Sequence, residues 1–235
     1  MGQDVLWVLI VALGLRLALQ GLRLKTAETS LGMALVLLGL GAAILRRALD
    51  DTDPRLATVG LGVLTAGTAM VAWFTQRTFH PANRWANGAT AACVLVLGAG
   101  LYHQLYACGL GTGAVRQSAA LSFSRAAVLA WPAVEALRFR RIYNKRVSLG
   151  LADPVVANRF LVFSIWTLAL ALMPLWVWAS TTLSGVAVRD LRSGMLLPVR
   201  VLGVVCLVGV VLTFLPPRAY LAFIARRHPA AGLAT

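Results

Sequence analysis

The chain has 235 residues, of which 59% are hydrophobic and only 13% are charged. Soluble domains carry about 45–50% apolar and about 25% charged residues, so this composition excludes an ordinary soluble protein and indicates a membrane protein. The 22 lysines and arginines against 8 acidic residues give a formal charge of +14. In a membrane protein the excess basic residues lie at the cytoplasmic ends of helices, where they contact anionic lipid headgroups. We therefore expect the lipid bilayer, and not a nucleic acid, as the partner of these residues.

Apolar windows long enough to cross about 30 Å of hydrocarbon recur seven times along the chain. We therefore predict an all-α integral membrane protein that forms a single seven-transmembrane-helix bundle over residues 1–235. The predicted helices cover about residues 5–22, 28–46, 56–76, 85–107, 118–138, 155–183 and 196–216.

Polar turns separate the predicted helices. Asp53-Pro54 and Asp153-Pro154 each place a capping aspartate directly before a proline. Aspartate is favoured at the N-cap and proline at the first helical position, so these dipeptides predict the starts of the third and sixth helices.

Lysine and arginine predict the orientation of the bundle. The larger share of them follows the first, third, fifth and seventh helices, and cytoplasmic ends carry such an excess. We therefore expect the amino terminus outside and the carboxyl terminus in the cytoplasm. Lys25 and Lys145 are the only lysines, and together with abundant Ala, Gly, Leu and Val this arginine bias is typical of a GC-rich bacterial genome. The expected location is the bacterial inner membrane.

A basic link at residues 138–153 is predicted to be the main cytoplasmic loop. It would contact a cytoplasmic protein partner or anionic lipid through four basic side chains, Arg140, Arg141, Lys145 and Arg146. Just before it, Glu135 lies about one turn from the end of the predicted fifth helix and can pair with Arg138 at i+3 or with Arg159 on the sixth helix. Two interpretations stay open for these three residues, a proton-linked or ion-pair switch and a simple interfacial ion pair.

Two groups near the predicted outer side are candidates for ligand binding. Arg125 falls within the fifth helix, where it either snorkels to the interface or binds an anionic ligand together with Arg200. Tyr102, His103 and Tyr106 form a polar patch at the end of the fourth helix. This patch either lines an outer vestibule or belongs to an aromatic belt at the membrane surface.

Cofactor and metal chemistry find no support in the sequence. Cys93, Cys108 and Cys206 are scattered, without the spacing that holds zinc. A retinal Schiff base needs a lysine within a span, and both lysines lie in predicted loops. No phosphate-binding loop occurs, so we expect no cofactor, no metal site and no catalytic residue.

The segment 149–160, LGLADPVVANRF, follows the basic link and resembles a segment in a group of bacterial seven-transmembrane-helix proteins with no established activity. The resemblance implies the seven-span layout and transfers no function. The layout is also similar to that of G-protein-coupled receptors in span number and orientation. This chain lacks their motifs, since Thr75-Gln76-Arg77 follows the third helix where they have Asp-Arg-Tyr, and the similarity is one of topology alone.

Three functions fit the sequence. The first is a membrane sensor or receptor-like protein that signals through the basic loop at residues 138–153. The second is a small-solute or ion transporter or channel, and the third is a non-catalytic accessory subunit of a membrane complex. A homo-oligomer is compatible with each of them.

Overall fold

The structure is a computed structural model that describes residues 2–24, 26–51, 53–106, 118–186 and 194–227. Within these ranges the chain is helical apart from short turns and contains no strand. The predicted all-α class is therefore confirmed. The helices are α1 (Gly2–Leu24), α2 (Glu28–Asp51), α3 (Pro54–Phe79), α4 (Arg84–Tyr106), α5 (Ala119–Ser148), α6 (Pro154–Ser184), α7 (Leu197–Phe214) and α8 (Arg218–Arg227).

Six of the described helices are long and apolar enough to cross a membrane, namely α1, α2, α3, α4, α6 and α7. They make the chain a multi-pass membrane protein. The thirty-residue α5 is not among the six, because it contains Arg125 and Glu135 and ends in a run of basic residues. Any membrane crossing by α5 therefore depends on hiding those charges inside the bundle.

Side chains cap the helices at the predicted turns. The Asp53 carboxylate accepts a hydrogen bond from the backbone N–H of Arg55 at 2.8 Å, and Asp153 accepts one from Val155 at 2.7 Å. Each aspartate satisfies a donor that the helix itself leaves unpaired. Ser118 caps α5 in the same way, accepting from Leu121 at 3.1 Å.

Successive helices run antiparallel, because short turns join most of them. The bundle thus has two ends. We call the end where α1, α3, α5 and α7 begin the cavity face, because a cavity described below lies nearer to it. The end where these helices finish is the basic face, named for the basic residues at the end of α5. Helix α2 packs closely on α1 and α3, α6 on α5 and α7, and α4 against α3 and α5.

Small residues bring α1 and α2 into close contact. A Cβ atom at Gly32 would lie 2.6 Å from the carbonyl oxygen of Gly14 and would also overlap the backbone of Ala18. Only glycine at this position lets the two backbones approach so closely, which is a common way of packing helices in membranes.

The basic segment, residues 138–146, lies on α5 and not in a loop. The prediction of a loop at residues 138–153 is wrong for most of its length, since α5 continues to Ser148. Arginine, leucine and lysine are good helix formers, and neither glycine nor proline interrupts the segment before Gly150, which adopts a left-handed conformation with φ of 70°. The helix therefore extends beyond the predicted membrane boundary.

Helix α8 was not predicted. Pro216 and Pro217 follow α7 and prevent it from continuing, and ten further residues form the short helix. The side chain of Asn158 donates a hydrogen bond to the Tyr220 hydroxyl and ties α8 to α6.

Candidate functional site

A cavity of about 500 Å³ lies inside the bundle, in the half nearer the cavity face. Its walls come from α1, α2, α3, α5, α6 and α7, with one residue from α4. Most of the lining is aliphatic, including Leu38, Leu64, Leu129 and Leu207. Cavities of about 300–1,000 Å³ with a few convergent polar groups are typical binding sites for small molecules.

Arg125 is the buried charged residue among those that line this cavity. It is 5% exposed, and its Nη2 donates to the Leu61 carbonyl oxygen at 2.9 Å and to the Thr65 hydroxyl at 2.8 Å. Its Nε is buried without a hydrogen-bond partner. The guanidinium therefore points into the bundle and does not snorkel to the interface.

Both acceptors of Arg125 are neutral, and among the described residues no carboxylate lies within ion-pair distance of it. A buried charge without a counter-ion is costly, and buried charges in proteins are ordinarily paired. The buried positive charge of Arg125 thus has no counter-ion among the described residues.

Further charged side chains line the part of the cavity that is nearer to the cavity face of the bundle. Arg200 is exposed at the start of α7, and Arg46 on α2 pairs with Asp50 at 3.8 Å. Three arginines against one aspartate leave the lining with a net positive charge. Arg125 and Arg200, which were predicted to bind one ligand together, both line this cavity.

The polar patch of α4 divides between the two sides of that helix. Tyr102 and Tyr106 stack on each other with ring centroids 4.5 Å apart, but they are 64% and 75% exposed, and His103 is exposed as well. None of these three residues lines the cavity. They occupy the outer surface of the bundle, as the aromatic-belt alternative expects.

Gln104, within the same patch, is the residue that sequence reasoning missed. It is fully buried, lines the cavity, and accepts a hydrogen bond from the Ser118 backbone N–H at 2.6 Å. The available signal was its position two residues from each tyrosine, which places it on a different side of the helix from them. It links the end of α4 to the start of α5 beside the cavity.

Aromatic rings fill the bundle interior between the cavity and the basic face. Trp166 lines the cavity and packs edge-on against Phe163, with ring centroids 5.0 Å apart. Phe163 contacts Phe79 at 6.1 Å, and Phe79 contacts Phe139 at 5.1 Å. We call these four residues the aromatic chain, and its last member lies within the basic segment.

A second buried charge, Glu135, lies near the basic face. Its Oε1 is 3.2 Å from Nε2 of His80, and its Oε2 is buried without a hydrogen-bond partner. The ring of Trp85 lies against His80 with centroids 5.3 Å apart. The structure thus joins α5 to the end of α3 through a contact that the sequence analysis did not anticipate.

The two predicted partners of Glu135 lie elsewhere. Arg138 is exposed, and Arg159 is half-buried on α6 with its Nε lacking a hydrogen-bond partner. Arg159 is close enough to Tyr220 for its charge to influence that phenol. The three residues of the predicted switch are therefore not brought together in this state of the protein.

The basic segment presents its charges to solvent. Arg141, Lys145 and Arg146 are exposed and Arg140 is half-buried, while the Arg146 guanidinium lies 5.7 Å from the centre of the Tyr143 ring. Such a surface suits acidic partners or anionic lipid headgroups. For metals, no group of three His, Cys, Asp or Glu side chains comes together in the part of the chain that the structure describes.

Comparison of this chain with protein-family models, with curated proteins and with solved structures finds no match. The fold itself therefore defines the class, an all-α multi-pass membrane protein with an internal cavity. The resemblance of residues 149–160 to a bacterial seven-helix group stays a prediction.

Proposed function

We propose that the protein is a seven-helix sensor or receptor-like protein of the bacterial inner membrane. A small amphiphilic molecule would occupy the cavity, and the basic segment would report its presence to a cytoplasmic partner. In this proposal α5 is the seventh span, with Arg125 and Glu135 both buried among helices. The basic face lies in the cytoplasm, as the distribution of arginine predicts.

The observation that carries the proposal is the aromatic chain. Trp166 forms part of the cavity wall, and Phe139 lies between Arg138 and Arg140 of the basic segment. Close-packed interiors transmit displacement because they have few alternative arrangements. A ligand that displaces Trp166 would therefore move α5 at the basic face.

Three rings of the aromatic chain, together with Phe74, favour sensing over transport. Transport needs a route that opens to both sides of the membrane, whereas Phe74, Phe79, Phe163 and Trp166 are buried in one apolar core below the cavity. An accessory subunit has no need of a cavity that contains a buried arginine. The cavity and the aromatic chain together thus support a sensor over both alternatives.

Electron–electron distance measurements would test the coupling. Spin labels at Thr78→Cys and Arg141→Cys, both exposed, report the separation of α3 and α5 at the basic face, after Cys93, Cys108 and Cys206 are replaced by alanine. The protein in phosphatidylcholine nanodiscs is titrated with dodecanoate or with dodecanol. We expect at least one of them to change the distance by roughly 1–2 Å, the usual scale of helix shifts in switching proteins.

Phe163→Ala is the matched control, because it breaks the aromatic chain without replacing a residue of the cavity wall. We expect the amphiphile to bind this variant while the distance stays unchanged. Unchanged distances in the wild type with both probes, together with passage of either probe or of small ions through proteoliposomes, would contradict sensing and favour transport.

A further inference from the structure

The cavity combines an apolar wall with one buried positive group. Arg125 is 95% hidden from solvent, and its charge faces only the neutral oxygens of Leu61 and Thr65. The nearest carboxylate along α5 is Glu135, ten residues away and thus about 15 Å along the helix. Its Oε1 lies 3.2 Å from Nε2 of His80.

We infer that the cavity binds a single-chain amphiphile with an acidic headgroup, a carboxylate or a phosphate, which pairs with Arg125. Guanidinium groups form strong charge-assisted hydrogen bonds with both kinds of anion. Arg125 lines the cavity, and its Nε has no hydrogen-bond partner in the described part of the protein. This inference rests on the proposed sensor function for the consequence of binding, and it assigns the chemical class of the ligand.

The tail of the ligand is specified by the remaining wall. Leu38, Leu64, Leu170 and Met173 are among the apolar side chains that line the same cavity as Arg125. An alkyl chain in contact with such a wall is removed from water at a gain proportional to its buried area. A volume of about 500 Å³ suits one alkyl chain and its headgroup.

Binding measured by calorimetry in phosphatidylcholine nanodiscs tests the assignment, with empty nanodiscs as the reference. We expect dodecanoate to bind more tightly than dodecanol, which has the same tail and no charge. Arg125→Gln should weaken dodecanoate binding roughly tenfold to a hundredfold, the loss of one charge-assisted hydrogen bond, and leave dodecanol unchanged. Arg125→Lys, which keeps the charge, should fall between wild type and Arg125→Gln.

Arg84→Gln is the matched control, since Arg84 is exposed at the start of α4 and lies outside the cavity. It removes one positive charge and should leave the Kd for dodecanoate unchanged. Dodecanol binding as tightly as dodecanoate, or an equal loss in Arg84→Gln, would overturn the assignment.

A thermal unfolding measurement separates ligand binding from a structural role of Arg125. Without ligand, Arg125→Gln should unfold at the same temperature as wild type or at a higher one, because it removes an unpaired buried charge. A lower unfolding temperature together with an unchanged Kd for dodecanoate would instead assign Arg125 to holding α3 against α5.

Two further measurements distinguish a single-chain ligand from a bilayer lipid, and ligand binding from the sensor function. Phosphatidylglycerol added to the nanodiscs should not compete with dodecanoate, and competition that Arg125→Gln abolishes would overturn the single-chain ligand in favour of a bilayer lipid. Binding through Arg125 without a change in the Thr78–Arg141 distance would leave the ligand assignment standing and contradict the sensor. A distance change caused by dodecanol and not by dodecanoate would contradict the ligand assignment and leave the sensor standing.

Discussion

At Glu135 a buried carboxylate contacts His80 at the end of α3, with its second oxygen left without a partner. The His80 backbone N–H donates to the Gln76 carbonyl oxygen at 2.9 Å, and the Gln76 side chain donates to Asn87 at 2.6 Å. Three helices, α3, α4 and α5, thus meet around this pair near the basic face. A movement of α5 would therefore change the contact between Glu135 and His80.

A double-mutant cycle measures what the pair contributes. His80→Gln and Glu135→Gln, singly and together, should show a coupling of about 0.5–3 kcal/mol in the free energy of unfolding, because the two side chains are in direct contact. The free energy is measured by titration with sodium dodecyl sulfate, followed by tryptophan fluorescence.

Arg138→Gln provides the comparison for that cycle, since Arg138 is adjacent on the helix but exposed. Combined with Glu135→Gln it should be additive within about 0.5 kcal/mol. Coupling of Glu135 to Arg138 that exceeds its coupling to His80 would restore the pairing expected from the i+3 spacing.

At the scale of elements, the contact of α6 with α7 depends on Gly209. A Cβ atom added at Gly209 would overlap the Cβ atom of Trp166 and would lie only 2.8 Å from Trp166 Cγ. The Trp166 Cβ cannot move unless α6 moves with it. Gly209→Ala should therefore lower the free energy of unfolding by about 1–3 kcal/mol, the usual cost of overpacking. Thermal unfolding in nanodiscs checks this expectation.

Gly62 offers the matched substitution on α3, because nothing lies within 4 Å of the Cβ that it would gain. Gly62→Ala should be neutral or stabilising by up to about 1 kcal/mol, since alanine is the better helix former. Equal effects of the two substitutions would show that α6 and α7 are not in the close contact described.

Helix α8 is held to α6 by the hydrogen bond from Asn158 to Tyr220. Burial raises the pKa of the Tyr220 phenol, while this hydrogen bond and the charge of Arg159 act in the opposite direction. The net effect is a raised pKa, so the folded state holds the phenol proton more tightly than the unfolded state. The stabilisation that this gives is fully present below the ordinary tyrosine pKa and is lost as the pH rises through the raised pKa, although the phenolate oxygen still accepts from Asn158.

We therefore expect the docking of α8 on α6 to weaken in alkali, above about pH 10. A spin label at Ala222→Cys should become more mobile over that range in the wild type. In Tyr220→Phe, which has no ionisable phenol, the alkaline transition should disappear. An identical transition in both proteins would show that Tyr220 does not control the docking of α8.

At the scale of the whole molecule, properties that depend on local chemistry were predictable from the sequence. The all-α class follows from long apolar windows, and the caps of α3 and α6 follow from Asp53-Pro54 and Asp153-Pro154. Sidedness follows from the alternation of helices, which is why Arg125 and Arg200 could be assigned to one end of the bundle before the structure was known.

Properties that depend on the rotation and packing of helices were not predictable. Glu135 meets His80 because α5 packs on α3, a contact across 55 positions that no spacing rule encodes. Gln104 faces the cavity, whereas Tyr102 and Tyr106 face outward, because of the rotation of α4 about its axis. The extension of α5 to Ser148 was missed because charge was interpreted as a loop, although arginine and lysine favour helices.

A crystal structure of the protein grown in a lipid mesophase with dodecanoate would show whether an acidic amphiphile pairs with Arg125 in the cavity. We expect density for one alkyl chain in the cavity, its carboxylate within hydrogen-bond distance of Arg125, and a displaced Trp166. An empty cavity, or a carboxylate bound at Arg200 with Arg125 still unpaired, would contradict this expectation.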